Sequence, residues 1–241
     1  MVRNVAKLVN GKPHAPESHA EEVEQHCWTA HEAKAFLDAA KAAGDQPAAF
    51  YSLALETGMR KSELGGLKWT DLDLAKGTVK IQRQIVTLHP LTFGPVKNKQ
   101  PRTLRITAET GAQLRRHKAH QSELKLQSGG RYHDHGLVFA KEWGDVQRKR
   151  DTLGDPLGLN NIGQREFARL IKAANVRPIK FHGMRHTNAT LALEDGTSPK
   201  VVQARLGHQK ITTTLDIYAH VLPAMDQAAA DAVGGLIHGK R

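Results

Sequence analysis

Cysteine is nearly absent: Cys27 is the single one in 241 residues, which excludes an intramolecular disulfide framework and a multi-cysteine zinc module and fits a reducing compartment. Long apolar runs are missing as well, so no segment reads as a membrane span. The start, Met1-Val2-Arg3-Asn4, lacks the apolar stretch of a secretory signal. The expectation is a soluble cytoplasmic protein. Acidic residues are in deficit, 24 against 35 Lys plus Arg, for a formal charge of +11. That balance favours a polyanionic partner, with nucleic acid first among them, but charge by itself does not separate nucleic-acid binders from other basic proteins.

What is present divides unevenly along the chain. Residues 1–27 are polar, carry Pro13 and Pro16, and show no sustained period, as in an arm or linker. Thr29-Ala30-His31-Glu32 has the form of a capping box and predicts a helix running to Gly44. A second helix is expected from about Pro47 to Thr57, with Gly58 suited to a left-handed closing residue. Alternating β-branched residues from Thr78 to Thr87 predict a strand, with Arg102 to Ile106 as its antiparallel partner across a stretch containing Pro and Gly. Thr107 caps a long polar helix to about Leu126, and Leu137-Val138-Phe139 suggests a further short strand. Helices are expected at Asn160 to Asn175, His182 to Glu194, Pro199 to Leu206, Thr213 to Ala219 and Ala224 to Ile237. The fold class is therefore mostly α with a small antiparallel β-sheet, an α+β arrangement without internal repeats.

Four segments could carry chemistry. In Phe181-His182-Gly183-Met184-Arg185-His186-Thr187, His182 and Arg185 share a helix face and can address one anion. The four-residue step from His182 to His186 is also that of a helical metal pair, but Gly183 stands where a zinc protease needs Glu, so no metal is assigned. In the stretch from Ala204 through Leu206-Gly207-His208 to Asp216-Ile217-Tyr218, Gly207 can end one helix and place His208 on a turn, with Tyr218 on the next helix. This resembles a helix-turn-helix as much as an active site, and a Tyr there could equally be a core aromatic. Thr57-Gly58-Met59-Arg60-Lys61-Ser62-Glu63-Leu64 sets Arg60 near a carboxylate that can orient it. Pro95-Val96-Lys97-Asn98-Lys99-Gln100-Pro101-Arg102 is a basic link between strands, of the kind that is usually solvated or touches a nucleic-acid backbone.

Taken together and in order, these segments resemble the tyrosine recombinases of the phage integrase family: Thr-Gly-x-Arg-x-x-Glu-Leu, a hairpin Lys, His-x-x-Arg-His-Thr, Leu-Gly-His and Thr-Thr-Leu-Asp-x-Tyr, spanning about Trp28 to Val221. The resemblance implies the catalytic-domain fold of that family, with Arg60, Lys97, His182, Arg185 and His208 as the active-site set, Tyr218 as nucleophile and Glu63 in support. Arg60, Lys97, Lys99, Arg102, Arg185 and His208 are the expected DNA contacts. Lys99 competes with Lys97 for the hairpin position, and spacing to Arg102 favours Lys97. Gly183 departs from the pattern, which often has Asp there.

The chemistry suits these residue types. A phosphodiester repels nucleophiles, so cations must be prepositioned, and two guanidinium groups offer paired donors matched to phosphate. A Tyr of pKa ~10 needs a base or cations to attack at neutral pH; the resemblance makes His182 that base and Lys97 the acid for the leaving 5′-oxygen. It implies site-specific recombination through a 3′-phosphotyrosyl intermediate, with no cofactor and no metal, on double-stranded DNA, in a bacterial or phage-encoded protein. The expected organisation is an arm over 1–27, a catalytic domain over 28–221 and a helical tail over 222–241 able to exchange between protomers, tetrameric on DNA at full length and monomeric as this fragment. Two other functions stay open here: a non-catalytic helix-turn-helix protein reading DNA through Pro199 to Ala219, and a type IB topoisomerase.

Overall fold

The computed structural model describes residues 27–97, 99–143, 151–208, 230, 231 and 233–239. Its first helix, α1 (Ala30–Ala42), starts as its capping box dictates: the Thr29 hydroxyl accepts from the Glu32 amide at 3.2 Å, and the Glu32 carboxylate accepts from the Thr29 amide at 2.9 Å. Ala33, Phe36 and Ala40 form its buried stripe. Helix α2 (Asp45–Thr57) is buried along most of its length and ends at Gly58, whose φ of 61° is the left-handed conformation glycine adopts without steric cost. A tilted and edge-on cluster of rings joins these helices to α6 (Phe167–Ala174): Trp28 and Phe36 centroids lie 4.6 Å apart, Phe36 and Tyr51 5.2 Å, Phe36 and Phe167 5.3 Å. The core of the molecule sits here.

Between α2 and the long helix α4 (Ala108–Gln127) come the short helix α3 (Lys61–Gly65) and five strands. Strands β1 (Leu72–Asp73), β2 (Thr78–Ile81) and β5 (Arg102–Arg105) form one antiparallel sheet, with Ile81 opposite Arg102. Strands β3 (Arg83–Leu88) and β4 (Leu91–Pro95) form a separate hairpin. The single strand expected over Thr78 to Thr87 is thus two strands broken at Gln82. At the break two neighbouring side chains turn to one carboxylate: the side-chain amide of Gln82 donates to Asp71 Oδ1 at 2.7 Å, and Arg83 pairs with the same carboxylate, which is almost fully buried. Strand β4 lies in the stretch read as a connector. Leu137 makes only an isolated bridge with Lys68 in place of the strand expected there, while the Val138 carbonyl is taken by side-chain donors from His117 and Gln121 of α4.

The helices expected at Asn160 to Asn175, His182 to Glu194 and Pro199 to Leu206 are found close to those positions. A short helix α5 (Leu159–Asn161) widens into a π-type turn over Ile162–Glu166 before α6, and the Tyr51 hydroxyl donates to the Ile162 carbonyl at 3.2 Å. Helices α7 (Gly183–Glu194) and α8 (Pro199–Leu206) complete the site-bearing part. The entry of the chain is tied to α7: the Trp28 amide donates to the Thr187 hydroxyl at 2.9 Å, and Cys27, buried, lies against Thr190. Residues 1–26, the helix expected at Thr213 to Ala219 and the first part of the tail lie outside the described residues; 230, 231 and 233–238 are helical, with Leu236 and Ile237 exposed. No described helix is long and apolar enough to cross a membrane.

Candidate active site

Arg60 owes its place to two neighbours in sequence. Gly58 turns the chain out of α2, and Met59, 2% exposed, pins the turn to the core. Arg60 is then the residue before α3; its amide donates to Glu63 Oε2 at 2.9 Å and its Nη1 to Glu63 Oε1 at 3.2 Å. Glu63 has no exposed side-chain surface and receives a second guanidinium, that of Arg102 on β5, with Nη2 2.8 Å from Oε2 and Nη1 3.1 Å from Oε1. Burial acts to raise the Glu63 pKa, but the hydrogen bonds and charge of Arg102, together with those of Arg60, outweigh it and hold the carboxyl below its ordinary range. A buried carboxylate with two cations is stable as a unit and costly to break.

Arg185 comes from the first turn of α7 and is 3% exposed. Its Nη1 donates to the Gly58 carbonyl and its Nη2 to the Leu206 carbonyl, both at 2.6 Å. One guanidinium therefore clamps the turn carrying Arg60 to the turn carrying His208. That second turn is closed by Gly207, at φ 68°, after α8; the His208 amide donates to the Gln203 carbonyl at 3.1 Å, and the Gln203 side-chain amide donates back to the His208 carbonyl at 3.1 Å.

His182 immediately precedes α7, and its ring stands edge-on to that of His186 with centroids 4.9 Å apart. Burial, followed by the charges of Arg185, Arg60 and Lys97, holds its pKa below the ordinary imidazole value. His208 is pushed down to about 4, first by burial and then by Arg185, Arg60, His182 and His186. Both shifts favour the neutral imidazole. The two arginines and two histidines read from separate sequence segments are thus brought within each other's electrostatic reach.

A cleft of about 360 Å³ opens among Arg60, Val96, Pro101, Arg102, Gln203 and His208. Lys97 is exposed beside it, on the turn after β4, and its charge reaches His182. Lys99 takes a positive φ of 54°, its amide donating to the Val96 carbonyl at 2.7 Å. Arg102 lines the cleft, but its guanidinium is turned to protein acceptors rather than held out on a loop. Tyr218 lies outside the described residues. Lys200 and Gln203, both lining the cleft, were not singled out in the sequence. The available signal was spacing: on α8 they stand three residues apart, on the face that leads to Gly207 and His208.

The chain is similar to known proteins in sequence and in fold. The profile of the phage integrase family matches residues 27–225. A tyrosine recombinase XerC-like protein of Caldanaerobacter subterraneus is 32% identical over 238 residues, covering 93% of this chain and 57% of that relative. The ICEBs1 integrase of Bacillus subtilis is 27% identical over 195 residues, covering 78% of this chain and 48% of that relative. The chain spans about half the length of these curated relatives. Among solved structures, the Tn1549 transposon integrase in complex with transposon right-end DNA superposes with a TM-score of 0.69 at 22% identity, over 96% of this chain and 70% of that one. The XerA recombinase does so with a TM-score of 0.64 at 22% identity, over 84% of this chain and 64% of that one.

Proposed function

Since the chain belongs to the phage integrase family, we propose that it cuts and rejoins double-stranded DNA at specific sites, as the catalytic part of a tyrosine recombinase. The observation that carries this reading is the gathering of Arg60, Arg185, His182 and His208, from three separate regions of the chain, within each other's electrostatic reach, with Arg60 and His208 lining one cleft. A cluster of cations and imidazoles in which the Glu63 carboxylate is already paired with two guanidinium groups suits a phosphate.

In the proposed reaction the Tyr218 oxygen attacks the scissile phosphorus, a phosphorus–oxygen bond forms, and the bond to the 5′-oxygen of the next nucleotide breaks. Neutral His182 takes the phenol proton, and Lys97 gives a proton to the departing 5′-oxygen. Lys97 is preferred to Lys99 because its charge is felt at His182. Arg60 holds the non-bridging oxygens, Arg185, whose Nη1 and Nη2 are braced on the Gly58 and Leu206 carbonyls, adds its positive charge and remaining N–H donors beside them, and His208 donates its ring N–H to the same charge. The attack reverses when another 5′-hydroxyl enters, so the bond energy kept in the phosphotyrosyl link reseals the strand. As the phosphate arrives its charge offsets the arginines, and both imidazoles become easier to protonate.

In this reading residues 28–221 are the catalytic unit, 1–27 an arm and 222–241 a tail exchanged between protomers. The whole protein is a cytoplasmic tetramer on DNA, and this chain without DNA is a monomer. The test is covalent capture. The wild-type chain is expected to form an adduct with a suicide duplex, with EDTA present or absent, and Tyr218→Phe to bind the same duplex without forming one. An adduct on Tyr218→Phe would remove Tyr218 as nucleophile, and loss of the wild-type adduct in EDTA would end the metal-free mechanism.

A further inference from the structure

Arg102 stands in the sequence as one more cation of a DNA-facing link, yet its hydrogen bonds describe a different job. A guanidinium can grip a phosphate through either of two edges: the end-on pair Nη1/Nη2, or a side-on pair that includes Nε. In Arg102 the end-on pair holds both oxygens of Glu63, at 3.1 and 2.8 Å, and Nε donates to the Arg205 carbonyl at 2.8 Å. Neither edge is left intact for bidentate binding. Arg60 contrasts with it: its side chain is 21% exposed against 10% for Arg102, and among the described residues its guanidinium contacts only Glu63 Oε1, through Nη1.

The backbone around Arg102 is shaped to admit it. Gly207, beside His208, passes so close that a Cβ there would lie 3.3 Å from Arg102 Nη1 and 3.5 Å from Cζ. Arg102 therefore touches both halves of the site. It meets Arg60 through the shared Glu63 carboxylate, and the His208 turn through Arg205 and Gly207.

We infer that Arg102 is a positioning residue: it orients the Glu63 carboxylate that aims Arg60, and it ties the Gly207-His208 turn to β5, without itself gripping a phosphate. This rests on the proposed recombinase reaction and deepens it. A guanidinium displaced by about an ångström can cost on the order of a hundredfold in rate, so the effect belongs in the chemical step rather than in DNA affinity.

The experiment uses the full chain and a duplex selected from a randomised pool by covalent capture on the wild type. Arg102→Gln is compared with wild type for single-turnover adduct formation at saturating duplex, and for duplex affinity across a salt series. The expected result is a loss of at least ~10-fold in rate, with affinity within ~2-fold and the salt slope unchanged. If Arg102 is instead a phosphate contact, the slope falls by about 1 and the saturated rate stays near wild type, which overturns the inference. Should Arg102→Gln not fold, Arg102→Lys keeps a cation beside Glu63 while losing the paired donors, and is held to the same result. A second comparison isolates Arg60: in an Arg60→Lys background the Arg102 substitution is expected to cost less than ~2-fold further. A full, multiplicative cost there also overturns the inference. Capture of no duplex by the wild-type chain defeats the recombinase reading itself, and this inference with it, whereas capture with an unaffected Arg102 variant defeats the inference alone.

Discussion

Arg185 Nη1 donates to the Gly58 carbonyl at 2.6 Å across 127 positions of sequence, two residues before Arg60. The same side chain reaches the Leu206 carbonyl, two residues before His208. Arg185 is thus both a candidate phosphate ligand and the brace that sets the distance between two others, and the consequences divide into separate measurements.

The first concerns the guanidinium fork. Arg60→Lys keeps the charge and the reach toward Glu63 but loses the paired donors. Single-turnover cleavage at saturating duplex is expected to drop by ~100-fold or more. A rate within about threefold of wild type, on the same scale, would argue that charge alone suffices at this position.

The second concerns the turn that carries Arg60. At Gly58, φ is 61°, and an added Cβ would come within 2.5 Å of Leu206 Cδ2 and 3.2 Å of Asn188 Oδ1. Leu206 is fully buried, so its side chain must repack to make room. Gly58→Ala is expected to destabilise the fold by roughly 1–3 kcal/mol in urea unfolding and to slow cleavage as well, because its carbonyl anchors Arg185. An unchanged urea midpoint would show that the turn is more compliant than the contacts imply.

The third concerns acid. His208 is pushed from 6.5 in the unfolded chain to about 4 in the folded one by burial and then by the arginine charges. Between those values the unfolded state binds more protons at this position, so the contribution to stability is full above pH 6.5 and is lost as pH falls toward 4. His182 is shifted the same way and adds to the effect. Thermal melting of the DNA-free protein is expected to show a wild-type midpoint that falls faster than that of His208→Asn across this window. Parallel curves would mean that the folded imidazole titrates like a free one.

Much of the candidate site could be read from the sequence because each of its parts is local. The Gly58 turn, the helix beginning at Gly183 and the Gly207 turn are fixed by short-range chemistry, and each delivers its side chain within a few residues of a helix end. What escaped the sequence is tertiary. The Arg102–Glu63 pairing joins residues 39 positions apart and exists only because β5 pairs with β2 in the observed register. The break at Gln82 coincides with side-chain contacts to the buried Asp71 carboxylate, which leaves no trace in the β-branched alternation around it. Strand β4 was hidden by Pro90, Gly94 and Pro95, whose composition reads as a turn although the hairpin accommodates it. The helical stretch Asn160 to Asn175 was placed well, but its π-type turn depends on a carbonyl that Tyr51 takes from another helix.

The anchors of Arg185 are main-chain oxygens, and so is that of Arg102 Nε. Substituting a residue changes its side chain and leaves its carbonyl in place, so drift at positions 206 and 205 does not by itself erase these bonds. Such a brace is inherited with the backbone path. Paired changes between relatives would leave little record of it, and a designer wishing to loosen the pocket would have to move a turn rather than swap a partner.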